Sequence, residues 1–154
     1  MTGRVLVAGV GNLFLGDDAF GVELVRLLGP GNERVDVLDF GVRGHDLAFR
    51  LVSGYAGALL VDAVRRGRPP GTLCVLEPDP DSSPPDLASH CLDPRQALRW
   101  ARQLGTLPPL LVVGCEPARC DQPGLSPPVQ AALEPAVALV RRVLWDRWEC
   151  RIGE

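Results

Sequence analysis

Three short, almost wholly apolar runs constrain the fold of this chain more than any other feature of its sequence. They occupy residues 5–10, 58–61 and 110–113. Apolar runs of this length are typical of strands that are buried on both faces of a parallel sheet. Weaker alternation of apolar and polar residues at 34–38 and 72–76 predicts two further strands.

Helical patterns fall between most of these runs. We expect Asp17 to cap the first helix and Gly29 to end it. The apolar residues that share one face of this helix are Phe20, Leu24, Leu27 and Leu28. The first structural unit is therefore predicted to be a strand, a tight turn and a helix.

Two later helices have clear start and stop signals. Asp93 is placed to cap a helix that begins at Pro94, and Gly105 is placed to end it. Ser126 opens the last and longest helix, in which Pro135 is expected either to cause a kink or to mark the true start.

The order of these elements predicts the architecture. Alternating strands and helices favour a three-layer α/β sandwich with a mainly parallel sheet, formed as one domain over residues 1–154. Residues 62–71 alone connect the third and fourth strands, which is short for a helical crossover. The fourth strand is therefore expected to be antiparallel, at an edge of the sheet. The Pro- and Asp-rich segment 77–86 is expected to form an exposed loop.

Composition excludes several functional classes. The formal net charge is −3 and like charges form no long run, so we expect neither nucleic acid nor a membrane surface as partner. All sixteen basic residues are arginine, which excludes a phosphate-binding or Schiff-base lysine. No apolar run approaches the roughly 18 residues of a membrane span, and the N-terminus lacks a signal-peptide layout. A cytoplasmic location is therefore expected, with a protein or a small molecule as partner.

The cysteines and the usual hydrolase motifs add further exclusions. Five cysteines are an odd number, widely spaced and without a CxxC pair, which favours reduced thiols over disulfides or a zinc site. The sequence contains neither a GxSxG nor an HExxH motif. A hydrolase of this sequence would not be one of those types.

A glycine-rich turn after the first strand invites a dinucleotide-binding interpretation. Residues 9–12 match its first part, but Phe14 stands at the position of the third glycine. Asp17 and Asp18 would also repel a pyrophosphate at the helix start. A Rossmann-type domain therefore remains the weaker alternative.

Asp18, Asp62 and His90 are the candidate site residues. Asp62 directly follows a buried run, so it is expected at the solvent edge where a strand ends. Two carboxylates and an imidazole suit a divalent transition metal if the fold brings them together. His45, the second histidine, lacks such support and is predicted to be a surface residue.

Several motifs of this chain resemble those of the hydrogenase maturation proteases. They are VLVAGVGNLFLGDDAFGVELVRLL (5–28), VLDFGVRG (37–44), LLVDAVRRG (59–67), SHCLDP (89–94), VVGCEPA (112–118) and GLSPPVQAALEPA (124–136). They follow the order and spacing of that family over nearly the whole chain.

The resemblance implies a twisted five-stranded sheet flanked by helices, and an endopeptidase that removes the C-terminal peptide of a nickel-iron hydrogenase large-subunit precursor. It implies that Asp18, Asp62 and His90 recognise nickel already held by the substrate, so that no metal or cofactor is permanently bound. It also implies that Asp39 and Gly41, in the second motif, contact the substrate. A non-catalytic nickel-sensing chaperone is the other alternative, because it would keep the same metal-binding residues.

Overall fold

The computed structural model describes residues 3–79 and 94–153. Within these ranges the chain forms five strands and four α-helices. The strands are β1 (Val5–Val10), β2 (Val35–Gly41), β3 (Gly57–Ala63), β4 (Leu73–Leu76) and β5 (Leu110–Cys115). The helices are α1 (Phe20–Leu28), α2 (Gly44–Leu51), α3 (Pro94–Leu104) and α4 (Pro127–Trp148), and a short 3-10 helix, Gly16–Ala19, precedes α1.

The five strands form one mixed sheet in the order β2-β1-β3-β5-β4. β1 pairs in parallel with β2 and β3, and β3 pairs in parallel with β5. β4 is antiparallel to β5 at the edge of the sheet. The predicted mainly parallel sheet and its antiparallel edge strand are both confirmed. β4 is antiparallel because the connection 64–72 is too short to carry a crossover helix.

Each face of the sheet is covered by one pair of helices. Side chains alternate along a strand, so Val7 and Leu59 face the side on which α1 packs against α4. Leu6 and Leu60 face the opposite side, where α2 packs against α3. The structure is therefore a single-domain three-layer α/β sandwich, as predicted. Among the described helices, none combines the length and apolar character that a membrane crossing requires.

The helix predictions were correct in most of their bounds. α1 ends at Leu28, and Gly29 follows with a φ of 75°, a left-handed conformation that glycine adopts without strain. Leu27, however, is exposed rather than part of the buried face. α3 ends at Leu104, and the Gly105 amide donates to the carbonyl of Ala101. Its predicted cap, Asp93, lies outside the described residues.

α4 is the longest helix and runs through Pro135 without interruption. The interpretation that Pro135 marks the true start is therefore wrong. A proline inside a helix removes one backbone hydrogen bond, and here its ring lies on the exposed side of a 22-residue helix that is held by its buried face. The predicted start at Ser126 is confirmed, since this residue directly precedes the first helical residue.

The strand order indicates which end of the sheet is expected to carry a site. From β1 the chain passes outward to β2, then returns across to β3 on the other side of β1. In open α/β sheets, ligands bind outside the carboxyl ends of the strands where the order reverses in this way. The carboxyl ends of β1 and β3 are therefore the expected place for a site.

Candidate active site

Asp18 is held at the carboxyl end of β1 by the backbone that follows this strand. Gly11 turns the chain with a φ of 137°, and its amide donates to the Gly41 carbonyl at the end of β2 (2.9 Å). A Cβ at Gly11 would lie 1.8 Å from the carbonyl oxygen of Asp18, so only glycine permits this approach. The Asn12 amide donates to Oδ2 of Asp18 (2.8 Å) and fixes the orientation of its carboxylate.

Asp62 reaches the same end of the sheet from β3. A Cβ at Gly21 would lie 2.1 Å from the carbonyl oxygen of Val61 and 2.5 Å from that of Val10. The first turn of α1 therefore rests directly on the ends of β1 and β3. Asp18 precedes Gly21 by three residues and Asp62 follows Val61, so both aspartates lie where these two strands end.

Both carboxylates are buried. Asp18 is 1% exposed and Asp62 is 3% exposed. The expectation that Asp62 lies at the solvent edge is wrong, because the 3-10 helix packs against β3 and covers the end of this strand. Burial of a charged carboxylate is costly unless hydrogen bonds or an opposite charge stabilise it. Two buried aspartates at the same end of the sheet are therefore more typical of a functional site than of a surface.

Asp17 has a different role from the predicted helix cap. The residue that precedes α1 is Ala19, and Asp17 instead accepts hydrogen bonds from the amides of Ala118, Arg119 and Ser126 and from the Ser126 hydroxyl, at 2.7–3.1 Å. Burial alone would raise the pKa of Asp17, but these hydrogen bonds outweigh it and lower the pKa. The side chain thereby joins the loop after β1 to the loop between β5 and α4.

Glu116 is a second buried acid that holds a loop, and sequence reasoning missed it as a functional candidate. Its Oε1 accepts hydrogen bonds from the amides of Arg66 (2.8 Å) and Arg68 (3.1 Å), in the loop that follows Asp62. Like Asp62, Glu116 follows a buried apolar run. Applying the same criterion to both strand ends would have found it.

The predicted substrate-contacting residues lie at the carboxyl end of β2, the strand next to β1. Asp39 is exposed near the end of β2 and Gly41 is the last residue of this strand, next to the turn at Gly11. A φ of 54° at Gly41 favours glycine there. Their proposed contact with a substrate stays a prediction.

His90 lies outside the described residues, and α3 begins four residues after it. The rings of His45 and Trp100 stack with their centroids 4.0 Å apart, and Gly105 packs against Val52. α2 and α3 therefore run in the same direction. Residues 94–99 precede Trp100 in α3, so this helix extends about 9 Å beyond the level of His45, towards the carboxyl end of the sheet. His45 is an exposed residue in this helix contact, which confirms its prediction as a surface residue.

The buried thiol of Cys115 is poorly suited to catalysis. Cys74, Cys115 and Cys150 are free thiols, while Cys91 lies outside the described residues. Burial, with the negative charge of Asp17 as a smaller cause, raises the pKa of the Cys115 thiol to about 12. This thiol stays protonated at neutral pH and is a poor nucleophile.

Within residues 3–79 and 94–153, no group of three or more His, Cys, Asp or Glu side chains is arranged to hold a metal ion. The predicted set includes His90, which is not among these residues. Convergence of Asp18, Asp62 and His90 on one ion therefore stays a prediction. The structure describes two of these three residues, Asp18 and Asp62.

Comparisons with known proteins agree on one family. Residues 22–143 match the sequence profile of the hydrogenase maturation proteases. The chain is 36% identical to the hydrogenase expression/formation protein HupM of Azotobacter chroococcum, over 96% of this chain and 76% of that protein. It is 33% identical to the hydrogenase 2 maturation protease of Escherichia coli, over 92% and 90% of the two chains.

Solved structures give the same result. A solution structure of an endopeptidase from Escherichia coli superposes with a TM-score of 0.81 at 31% identity, covering 97% of each chain. The hydrogenase maturating endopeptidase HybD from Escherichia coli superposes with a TM-score of 0.78 at 28% identity, again over 97% of each chain.

Proposed function

This chain belongs to the hydrogenase maturation protease family and is an endopeptidase, and on that premise we propose that it removes the C-terminal extension of a nickel-iron hydrogenase large-subunit precursor after nickel insertion. The relatives named as maturation proteases support this function over a nickel-sensing chaperone or a nucleotide-binding domain.

The observation that carries the proposal is the position of Asp18 and Asp62. Two buried carboxylates from separate segments lie at the ends of β1 and β3, where the strand order reverses. Carboxylate and imidazole ligands suit a divalent transition metal such as nickel. The donor set formed by Asp18, Asp62 and His90 therefore fits the nickel of a precursor, which is part of the substrate and not a resident cofactor of the protease.

The chemistry requires that a water molecule attack one peptide carbonyl of the precursor. Its oxygen bonds to the carbonyl carbon, the C–N bond breaks, and the released amine takes a proton. Nickel held beside this peptide would supply positive charge to polarise the carbonyl or the water. The Asn12 amide holds the Asp18 carboxylate in one orientation, so this side chain is positioned before the substrate arrives.

The test is cleavage of nickel-loaded and nickel-free precursor, followed by mass spectrometry of the large subunit. We expect the nickel-loaded precursor to lose its C-terminal extension and the nickel-free precursor to stay at full length. Without the ion, Asp18, Asp62 and His90 have nothing to hold in the reacting geometry. Equal cleavage of both forms would exclude nickel recognition, whereas binding without cleavage of either form would favour the chaperone.

A further inference from the structure

The loop between β3 and β4 begins at residue 64, two residues after Asp62, and hydrogen bonds hold its backbone in place. Glu116 accepts hydrogen bonds from two of its amides, through Oε1, and its backbone carbonyl accepts another from Gly71 (2.8 Å). The Thr72 carbonyl accepts from the Glu116 amide (2.9 Å), and the Val64 amide donates to the Cys115 carbonyl (2.9 Å). Both ends and the middle of loop 64–72 are therefore held against the end of β5.

This fixed backbone carries three arginine side chains, Arg65, Arg66 and Arg68, and all three residues are exposed. Loop 64–72 contains no acidic residue, so these charges are not balanced within it. We call this segment the arginine loop. The neighbouring loop 117–125 is neutral by comparison, because it carries one arginine and Asp121. A concentration of positive charge on a chain of net charge −3 therefore lies next to Asp62.

On the basis of the function proposed above, we infer that the arginine loop binds carboxylates of the precursor's C-terminal extension. The peptide bond to be cut must lie at Asp18 and Asp62, and the extension then lies within reach of loop 64–72, which starts two residues after Asp62. Guanidinium groups bind carboxylates through paired hydrogen bonds. Because the backbone of the arginine loop is already fixed, binding requires that this loop order only its arginine side chains.

The test compares two triple variants with the same change in net charge. Arg65→Gln/Arg66→Gln/Arg68→Gln neutralises the arginine loop and keeps the backbone amides that donate to Glu116. The control, Arg26→Gln/Arg142→Gln/Arg147→Gln, neutralises exposed arginines in the later turns of α1 and α4. Trp148, at the end of α4, packs on Gly57 at the start of β3, so these turns lie towards the opposite end of the sheet.

With nickel-loaded precursor in low salt, the loop variant should raise KM about fivefold and change kcat less than about twofold, because steering by exposed charges acts mainly on association. The control should keep the wild-type KM. Salt should reduce the difference, since exposed charges are screened over about 8–10 Å near physiological ionic strength. Replacing the acidic residues of the extension by Asn and Gln should raise the KM of the wild-type enzyme to that of the loop variant.

Equal KM values for the loop variant, the control and the wild type would overturn the inference while leaving the protease function intact. Failure of the wild-type enzyme to cut the precursor would contradict the function itself and, with it, this inference. Melting temperatures report whether each variant is folded. If the loop triple is unstable, Arg65→Gln compared with Arg26→Gln provides the same test with one charge removed from each protein.

Discussion

The two ends of the sheet are built from different kinds of side chain. At the carboxyl end lie the buried polar residues of the described chain, Asp17, Asp18, Asp62, Glu116 and Ser126. At the amino end, the indole ring of Trp148 covers Gly57 so closely that a Cβ there would lie 2.3 Å from the ring. Cys150 and Ile152 are buried nearby in the same apolar cluster.

Polar contacts at the amino end remain close to the surface. Asp36 pairs with Arg4 and accepts a hydrogen bond from the Tyr55 hydroxyl (2.5 Å), and all three side chains are partly exposed. Buried charge is costly and apolar burial is favourable. The comparison therefore indicates that the amino end mainly supplies stability. The carboxyl end holds the buried charges, two of which, Asp18 and Asp62, we propose to act in cleavage.

The largest effect is expected for Asp62→Asn at the carboxyl end. The change keeps the shape of the side chain but removes its charge, and cleavage should slow about ten-thousandfold, equivalent to roughly 5 kcal/mol. The melting temperature should not fall, since a neutral amide costs less to bury than a carboxylate. Cleavage rates and thermal melts measure both effects. Asp121→Asn, an exposed residue in the loop after β5, is the control and should keep wild-type activity.

Trp148→Ala tests the amino end and should have the opposite profile. Loss of the ring leaves a cavity over Gly57 and should cost about 3–5 kcal/mol of unfolding free energy. The protein that stays folded at low temperature should cleave with a nearly unchanged kcat, because the ring is far from the carboxyl end. A large loss of kcat with an unchanged melting temperature would contradict this division between the two ends.

Sequence patterns predicted the strands better than the contacts at the carboxyl end. The apolar runs are buried for local reasons, and run 5–10 coincides with β1. Position alone identified Asp62, since any residue after a buried parallel strand lies at the carboxyl edge. The role of Asp17 depends on Ser126, which lies 109 residues later in the chain, and no local pattern reports such a contact.

The same limit explains one wrong prediction and one omission. Asp62 is buried because the 3-10 helix from a distant segment covers the end of β3, although the sequence around Asp62 indicates an exposed edge. Glu116 follows a buried apolar run just as Asp62 does, but its partners are the backbone amides of Arg66 and Arg68. Every residue except proline has such an amide, so the residue types at these positions do not indicate the contact. Contacts to backbone atoms are therefore the hardest to predict from a sequence pattern.

Asp17→Asn should have an intermediate effect at the carboxyl end. An asparagine amide cannot accept all the hydrogen bonds that the carboxylate accepts from Ala118, Arg119 and Ser126, and the change should cost about 2–3 kcal/mol of unfolding free energy. Because both loops beside Asp18 shift, kcat should also fall by roughly tenfold or more. Chemical denaturation and cleavage assays measure the two effects. A loss of stability without loss of kcat would mean that Asp17 contributes only to stability, like the residues of the amino end.

The smallest expected effect is a difference in acid sensitivity between the two ends. Hydrogen bonds lower the pKa of Asp17 against the opposing effect of burial, and Arg4 and Tyr55 lower the pKa of Asp36 in the same way. A lowered pKa in the folded state gives stability that is fully present above the unfolded pKa of about 3.9 and is lost as pH falls through the folded value. Both wild-type carboxylates should therefore contribute to loss of stability at acid pH.

Melting temperatures of Asp17→Asn and Asp36→Asn, measured between pH 6 and pH 2 relative to the wild type, separate the two contributions. Asp17 is fully buried, so in the Asp17→Asn variant the melting temperature should fall less steeply as pH is lowered. Added salt should change this effect little. Asp36 pairs with an exposed arginine, so its replacement should shift the melting temperature by no more than about 3 °C, and added salt should remove that shift. If Asp36→Asn reduced this fall at acid pH more than Asp17→Asn, the buried charge of the carboxyl end would not be the main source of acid sensitivity, and the contrast between the two ends would have to be redrawn.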